Sequence, residues 1–551
     1  MKINMEKQNF KRILELYNKK KYHEGEESAL NTINQFGDNH EVFHILGVIQ
    51  IQLTKYEDAI SNLKKAIELK ENFPDAHNNL GTLYNNLKEY SKAIKSFEKA
   101  IDYKQDFYQA YYNLGNALKA TNKRKDAELM YQKSISINGS NYNAINNLGV
   151  LFYENKKFNQ AIEQFNKALN INPNIESTYN NLGNSYSSKG LLDKALNWYK
   201  KSLEINPRNF KTYNDIGNAY TNAAHNKKAI DFFKKSINLN PDFAENYSNI
   251  GSIYNKQGKI EDAILNFKLA LEKNPNLLFV NYNIAMILFN LNETKEAMKF
   301  FKKSGYGDFQ DRVLQCQYKL KLYKEFNQNL ENLTKDLNTS RLVASLSSHA
   351  AINFKHENKY NFCKNPLDFI HKEKIDNVII QELAISINNI EIDNRHQGLL
   401  YNGTQSSGNI FNNKDTVFDN LENIIYEIID RYKMKFQNEN CEYINRWPKI
   451  TSIRGWFVKM KKDGFLKPHI HEGGWLSGVI YLKVPEKIEN QGMIKFRLDG
   501  HNYPKLHENF PSKIEEVSTN DIVVFPSSLF HQTIPFESEE ERICIAFDVN
   551  P

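Results

Sequence analysis

The chain has 551 residues, too many for a single core, so two or more domains are expected. Its net charge of +7 is small for that length, and Lys and Arg are spread along it rather than massed in a run, so a nucleic-acid partner is not expected. Four cysteines, Cys316, Cys363, Cys441 and Cys544, lie far apart with no Cys-x-x-Cys pair, which fits a reducing compartment and no disulfide framework. The opening residues, Met1-Lys-Ile-Asn-Met-Glu-Lys7, offer no apolar core for a signal peptide. No apolar run is long enough to span a bilayer, so a cytoplasmic protein without membrane contact is expected.

The N-terminal half repeats with a period of 34. Gly47, Gly81, Gly115, Gly149, Gly183, Gly217, Gly251 and Ala285 form one column, and Ala59, Ala93, Ala127, Ala161, Ala195, Ala229, Ala263 and Ala297 a second. A bulky third column holds Leu63, Phe97, Tyr131, Phe165, Tyr199, Phe233, Phe267 and Phe301. The pattern resembles the tetratricopeptide repeat, which implies an α-solenoid of antiparallel helix pairs with the first helices lining a concave face. In each pair the small residue of the first helix is expected to meet the small residue of the second. The bulky residue is expected to fill the groove towards the next repeat. Pro173, Pro207, Pro241 and Pro275 end second helices, since proline cannot continue one. About nine units fit residues 6–311, the first divergent, with Gly25 at the alanine position.

A polar column lies two residues before the glycines: Asn79, Asn113, Asn147, Asn181, Asp215, Asn249 and Asn283. An amide both donates and accepts, so such a ladder can grip the backbone of an extended peptide. Similar ladders occur in tetratricopeptide and armadillo proteins that bind unfolded segments. The competing reading is that asparagine is abundant throughout and merely solvates the groove.

Over residues 312–356 the register is lost while helical patterning persists, which predicts capping helices over the last apolar face of the solenoid. No Gly-, Ser- or Pro-rich linker follows, so docked domains are expected. Within 357–551, apolar spacing predicts a helix from Asp415 to Phe436. The polar stretch from Gly398 to Asn413 reads as a loop, either for substrate or idle.

The C-terminal hundred residues read as short strands: Arg454–Met460, a turn at Lys462-Asp463-Gly464, then Ser477–Leu482, Met493–Leu498, Asp521–Phe525 and Arg542–Phe547. Many short strands with turns between them argue for a jelly-roll or cupin-like barrel. His469 and His471 are two apart, so on a strand both imidazoles reach one face and one ion. His531 follows the Asp521–Phe525 run. His501 and His507 are rival third ligands, in a polar loop. Arg542 shares a face with Cys544 and Ala546, which leaves room for an anion on its fork; pairing with Glu539, Glu540 or Glu541 is the alternative.

His469-Ile-His471-Glu-Gly-Gly-Trp475-Leu-Ser-Gly-Val-Ile-Tyr481, Phe525-Pro526 before His531, and Arg542 resemble the 2-oxoglutarate/Fe(II)-dependent dioxygenases, in the bacterial branch with a His-x-His pair. The likeness implies a double-stranded β-helix oxygenase domain at 357–551. It implies Fe(II) on His469, His471 and His531, with His471 standing where most of the superfamily has a carboxylate. It also implies 2-oxoglutarate as cosubstrate, its far carboxylate on Arg542 with a hydrogen bond from Tyr481; a core role is the other reading of Tyr481. The expected activity is hydroxylation of a protein or peptide held by the solenoid. A small-molecule oxygenase with an assembly solenoid, and a non-catalytic scaffold for protein–protein interaction, are the alternatives.

Overall fold

The computed structural model describes residues 2–335, 340–358, 360, 362–363, 365–389, 394–395, 399–406, 408–412, 415–449, 451–486, 489–500 and 502–551. Internal packing divides the chain into Met1–Asn274 and Pro275–Pro551.

In the first unit the 34-residue period becomes antiparallel helix pairs. These are α1 (Lys2–Asn18) with α2 (Tyr22–Phe36), α3 (His40–Gln52) with α4 (Tyr56–Leu69), and α5 (Pro74–Asn86) with α6 (Tyr90–Tyr103). Next come α7 (Tyr108–Ala120) with α8 (Arg124–Ile137), and α9 (Tyr142–Glu154) with α10 (Phe158–Ile171). The last three pairs are α11 (Glu176–Ser188) with α12 (Leu192–Ile205), α13 (Phe210–Asn222) with α14 (Asn226–Leu239), and α15 (Ala244–Lys256) with α16 (Ile260–Lys273). First helices also touch one another, α3 on α5, α5 on α7, α11 on α13 and α13 on α15, so they form the inner row of the solenoid.

Second helices stop where the sequence stops them. α10, α12 and α14 end at Asn172, Asn206 and Asn240, each followed by proline. Each asparagine oxygen accepts the N–H two residues on, at 3.1, 3.3 and 3.1 Å, closing an Asx turn.

Inside a pair the glycine lies against the alanine as expected, a Cβ on Gly47 or Gly251 falling 3.2 Å from Ala59 O or Ala263 O, but it also meets a bulky side chain. Each glycine meets the bulky residue of its own partner helix. A Cβ on Gly81 would lie 2.7 Å from the Phe97 ring, and one on Gly149 2.7 Å from Phe165. The rings leave no gap for a methyl group, so the glycine column sets how closely the two helices approach. At Gly183, where a Cβ would fall inside the Tyr199 ring, Gly183→Val is expected to overpack the pair. About 1–3 kcal/mol of stability should be lost, read as a lower denaturant midpoint; an unchanged midpoint would refute the contact.

The second unit begins with helices α17 (Leu278–Asn290), α18 (Thr294–Ser304), α19 (Phe309–Lys319), α20 (Tyr323–Lys335) and α21 (Arg341–Asn353). After them come β1 (His371–Lys374), α22 (Asn377–Asn389), β2 (Asn394–Arg395), β3 (Leu400–Ser406), α23 (Thr416–Phe436) and α24 (Glu442–Asn445). The remaining strands are β4 (Ser452–Leu466), β5 (Leu476–Lys483), β6 (Ile494–Arg497), β7 (Ser512–Glu515), β8 (Asp521–Pro526), β9 (Phe530–Thr533) and β10 (Arg542–Asn550). They form two antiparallel sheets, β1-β8-β5-β10-β4-β3-β2 and β7-β6-β9.

The period-2 alternation of the large sheet separates two cores. Phe457, Ile480, Ile522, Val524, Ile545 and Phe547 pack on one side, with α23 residues Phe418, Leu421, Ile425, Ile428 and Ile429 and with α19 and α21 residues Leu314, Tyr318, Val343 and Leu346. Fully burying each such side chain contributes about 1.5–3 kcal/mol. Val458, Met460, Val479, Tyr481, Val523, Phe525 and Cys544 point the other way and pack with Ile494 and Phe496 of the small sheet. β5 is therefore buried on both faces. The α23 helix matches its expectation, with Asp415 as its cap, accepting from the Val417 N–H at 3.2 Å.

Two local expectations fail. Lys462-Asp463-Gly464 is no hairpin turn: β4 runs straight through it, and the pairing with β3 shifts register there. Asp463 sits at φ 61° and its N–H donates to Phe536 O at 2.7 Å, so the glycine-containing triplet makes a bulge within one strand. Much of the stretch read as a loop is the strand β3; Gly398 and Asn413 at its ends lie outside the described residues. Among the described residues the four cysteines are free and buried, and no helix is long and apolar enough to cross a membrane.

Candidate metal centre

His531 lies on β9. His469 lies opposite it, not on a regular strand but in a single bridge, where each backbone N–H donates to the other residue's carbonyl at 3.1 Å. Two residues on, the His471 N–H donates to Ser527 O at 3.0 Å. The segment is extended between these anchors, so the two imidazoles share a side as the spacing required. Ring centroids are 5.1 Å apart for His469 and His471, 4.3 Å for His469 and His531, and 4.9 Å for His471 and His531. One ligand atom from each lies within 4.8 Å of the others, a group that could hold a metal ion.

The proton positions suit that use. Each Nδ1 faces a group that only accepts: Lys467 O at 2.8 Å for His469, Leu529 O at 3.2 Å for His531, and the Asp548 carboxylate for His471. In the neutral ring the proton is therefore on Nδ1, and Nε2 carries the lone pair a metal needs. Burial holds His531 well below the ordinary imidazole value, and His469 and His471 push the same way, so the ring stays neutral. Behind His471, Asp548 also accepts from Ser477 Oγ at 2.7 Å, and Ser477 and Ser527 hydroxyls meet at 2.8 Å.

The large sheet supplies the other half of the site. Arg542 on β10 is only 2 % exposed. Its Nε donates to Gly492 O at 3.0 Å, and its Nη1 approaches Cys544 Sγ at 3.5 Å and Met460 Sδ at 3.9 Å. Among the described residues no carboxylate pairs with it, whereas Glu539 pairs with Lys462 and Glu540 with Lys483. The guanidinium lies 5.0 Å from the Tyr481 ring, and among the described residues no group stands within hydrogen-bond geometry of the buried Tyr481 hydroxyl. Burial raises that phenol far above its ordinary value while Arg542 acts in the opposite direction, so the hydroxyl keeps its proton and can donate.

A cavity joins these groups, walled by the three histidines, Tyr481 and Arg542 and by Val458, Leu466, Val479, Ile494, Cys544 and Ala546. The small neighbours of Arg542 do leave it room. A wider, more open cleft adjoins it, lined by Ser406, Arg454, Asp548 and Asn550. His469, His471, Gln405 and Trp456 line both spaces. The imidazoles thus stand where an inner, cation-floored chamber meets an outer opening.

Residues 454–548 match the family described as "Putative 2OG-Fe(II) oxygenase". Tetratricopeptide-repeat families match at 74–107 and 177–209, at 49–88 and 151–190, at 232–264, and at 108–141, 210–243 and 280–304. This is a tetratricopeptide-repeat protein with a "Putative 2OG-Fe(II) oxygenase" domain. Among solved structures it is similar to YrrB, a TPR protein with an unusual peptide-binding site, at 23% identity over 33% of this chain and 93% of that one, with a TM-score of 0.29. MamA matches at 26% identity over 31% and 94%, TM-score 0.29. A tetratricopeptide repeat protein from Parabacteroides merdae matches at 18% identity over 45% and 98%, TM-score 0.41. No curated protein matches the chain.

The oxygenase family implies Fe(II) and 2-oxoglutarate, and the residues present fit both. Three imidazole lone pairs converge, and beside them stand a buried cation and a buried hydroxyl that have no carboxylate and no hydrogen-bond partner, respectively, among the described residues. A carboxylate at that point would satisfy both groups.

Of the rival ligands, His501 lies outside the described residues, and the His507 Nε2 is 3.1 Å from Ile352 O. Glu472, next to His471, turns away and receives both terminal nitrogens of Arg312 from α19. Arg341 of α21 donates to Glu472 O and Gly473 O, each at 3.0 Å. The helices after the repeats therefore clamp the segment carrying two of the histidines. Sequence reasoning missed this clamp and also Asp548. The signal for Asp548 was present: it continues the alternation of Arg542, Cys544 and Ala546 along one face of β10.

In the ladder, Asn79 Nδ2 meets His44 Nε2 at 2.8 Å, Asn113 donates to Asn78, and Asn147 to Asn116, both at 2.9 Å. Asn249 donates to Asn214 and Asn218, while Asp215 accepts from Asn180 and Asn184. Asn181 and Asn283 hold the same half-buried position. The column therefore ties neighbouring repeats together along the inner row.

Proposed function

We propose that this chain is an Fe(II)- and 2-oxoglutarate-dependent dioxygenase that hydroxylates a protein or peptide recruited by its repeats. The observation that carries the reading is a buried Arg542, with no carboxylate partner among the described residues, in one chamber with three convergent imidazoles. In this reading residues 6–311 are the solenoid, 312–356 connecting helices and 357–551 the oxygenase. The two antiparallel sheets are the walls of a double-stranded β-helix.

His469, His471 and His531 hold the metal through Nε2, and Asp548 keeps the His471 proton on Nδ1. Arg542 takes the far carboxylate of 2-oxoglutarate on its planar fork, and Tyr481 donates to it. The Val458, Val479 and Ile494 side chains keep water from the chamber. When bound, Fe(II) with 2-oxoglutarate supplies the chemistry: one oxygen atom of O2 enters a substrate C–H bond, the other enters succinate, and CO2 leaves. Asn79, Asn113, Asn147, Asn181, Asp215, Asn249 and Asn283 hold an extended segment through their oxygens, beside the inter-repeat bonds that fix their rotamers.

The test is succinate formed by metal-loaded protein against panels of peptides and of metabolites. Succinate stoichiometric with a hydroxylated peptide is expected, with Asn147→Ala/Asn181→Ala raising the peptide KM about tenfold while turnover without peptide is unchanged. Stimulation by a metabolite alone would replace the peptide reading.

A further inference from the structure

A second cleft opens beside the segment that carries the histidines. One wall comes from the end of α17 and from α19, through Phe289, Asn290 and Lys319. The opposite wall is Lys467-Pro468, immediately before His469, and Arg497 and Lys505 lie along it. Leu399 lines both this cleft and the outer opening of the metal chamber, so the two adjoin at that residue.

Its charge is one-sided. Among the described lining residues there are four cations and a single carboxylate, Asp499. Asp499 is already held by Arg497 at 2.8 Å and by Lys505 at 3.5 Å, and Lys505 also meets Glu508 at 2.6 Å. Lys319 and Lys467 have no acidic partner among the described residues. Each is instead held over an aromatic ring, Lys319 4.5 Å from the Phe289 centroid and Lys467 4.8 Å from that of Tyr401. Tyr401 is in turn fixed by stacking on Phe465 at 4.6 Å. Burial pulls the Lys319 ammonium below its ordinary value, the signature of a desolvated cation without a counter-ion. Two pre-positioned ammonium groups facing one groove favour negative side chains there.

We propose that this groove is the entry path for a polypeptide substrate and that it selects an acidic one, with Asp or Glu side chains on Lys319 and Lys467 beside the residue presented to the metal. The proposal rests on the oxygenase reading but is tested apart from it. The last residue of the polar ladder, Asn283, lies on α17, whose C-terminal end lines this groove through Asn290. Pro468 then leads the path to His469.

Binding of short labelled peptides alternating Ala with Glu, Gln or Lys, followed by fluorescence anisotropy on the full chain, tests this. The Glu peptide should bind about tenfold or more tightly than the Gln peptide, and the difference should shrink with salt. Lys319→Glu/Lys467→Glu should abolish that preference. Lys64→Glu/Lys95→Glu, on exposed faces of α4 and α6, makes the same charge change and should leave it within about twofold. Equal binding of Glu and Gln peptides, preference for the Lys peptide, or equal loss in the two double variants would overturn the proposal. Metal binding and 2-oxoglutarate turnover without peptide should be unchanged by Lys319→Glu alone, which lies on α19 away from the metal ligands. A protein that binds the acidic peptide but neither metal nor 2-oxoglutarate would sink the oxygenase reading and leave the groove standing.

Discussion

Arg542→Met is expected to cut affinity for 2-oxoglutarate about a hundredfold to a few thousandfold while leaving metal bound. The reasoning starts from burial. The guanidinium is 2 % exposed and has one carbonyl and two sulfurs for company. A buried charge paired with a carboxylate loses about 3–5 kcal/mol when one partner is removed, and each 1.4 kcal/mol is tenfold in affinity. The same argument fixes a second, opposite sign. Without cosubstrate the arginine is an uncompensated buried charge, so methionine in its place should leave the 2-oxoglutarate-free protein as stable or more so. With metal present, 2-oxoglutarate at a hundred times its Kd should stabilise the wild type by about 2.7 kcal/mol and the variant hardly at all. Thermal melts with and without 2-oxoglutarate separate the two effects. A variant that melts much lower in the absence of ligand would mark Arg542 as a structural group instead.

Arg312→Ala should weaken metal binding from a helix that contributes no ligand. Arg312 is 10 % exposed and grips Glu472 with two nitrogens; Glu472, at 34 %, is partly screened by water. That exposure discounts the cost of breaking the pair to about 2–3 kcal/mol of stability. Glu472 directly follows His471, so its release lets the ligand drift. Groups that orient metal ligands are worth about 10–100-fold in affinity. Adding Glu472→Gln to Arg312→Ala should recover part of the stability, because the unpaired carboxylate is gone, but not the metal affinity, because the anchor is still missing. Metal titration together with denaturant unfolding reads both quantities. Unchanged affinity in Arg312→Ala would mean that Arg341 and the backbone anchors suffice.

The repeats were legible because a 34-residue period marks the same contact many times over, and a chance pattern rarely repeats. What that contact is was less legible. Columns of glycine, alanine and aromatic residues show that something small meets something large, but not which. Gly183 against Tyr199 decided it. The three histidines and Arg542 were legible because strand alternation and order along the chain constrain them strongly. The bulge in β4 was hidden because Lys-Asp-Gly suits a turn and a bulge alike, and only the neighbouring strand β3 distinguishes them. The clamp from α19 was hidden for a different reason. Arg312 and Glu472 are 160 residues apart, and no local periodicity links groups brought together by tertiary packing alone.

The most direct measurement is anaerobic titration of Fe(II) into the metal-free full chain, with and without 2-oxoglutarate. One ion per chain should bind, 2-oxoglutarate should tighten it, His531→Ala should abolish it, and Arg542→Met should remove only the tightening. If the wild-type chain takes up no ion, or if His531→Ala takes up as much as the wild type, the three imidazoles are not a metal site and the catalytic account is wrong.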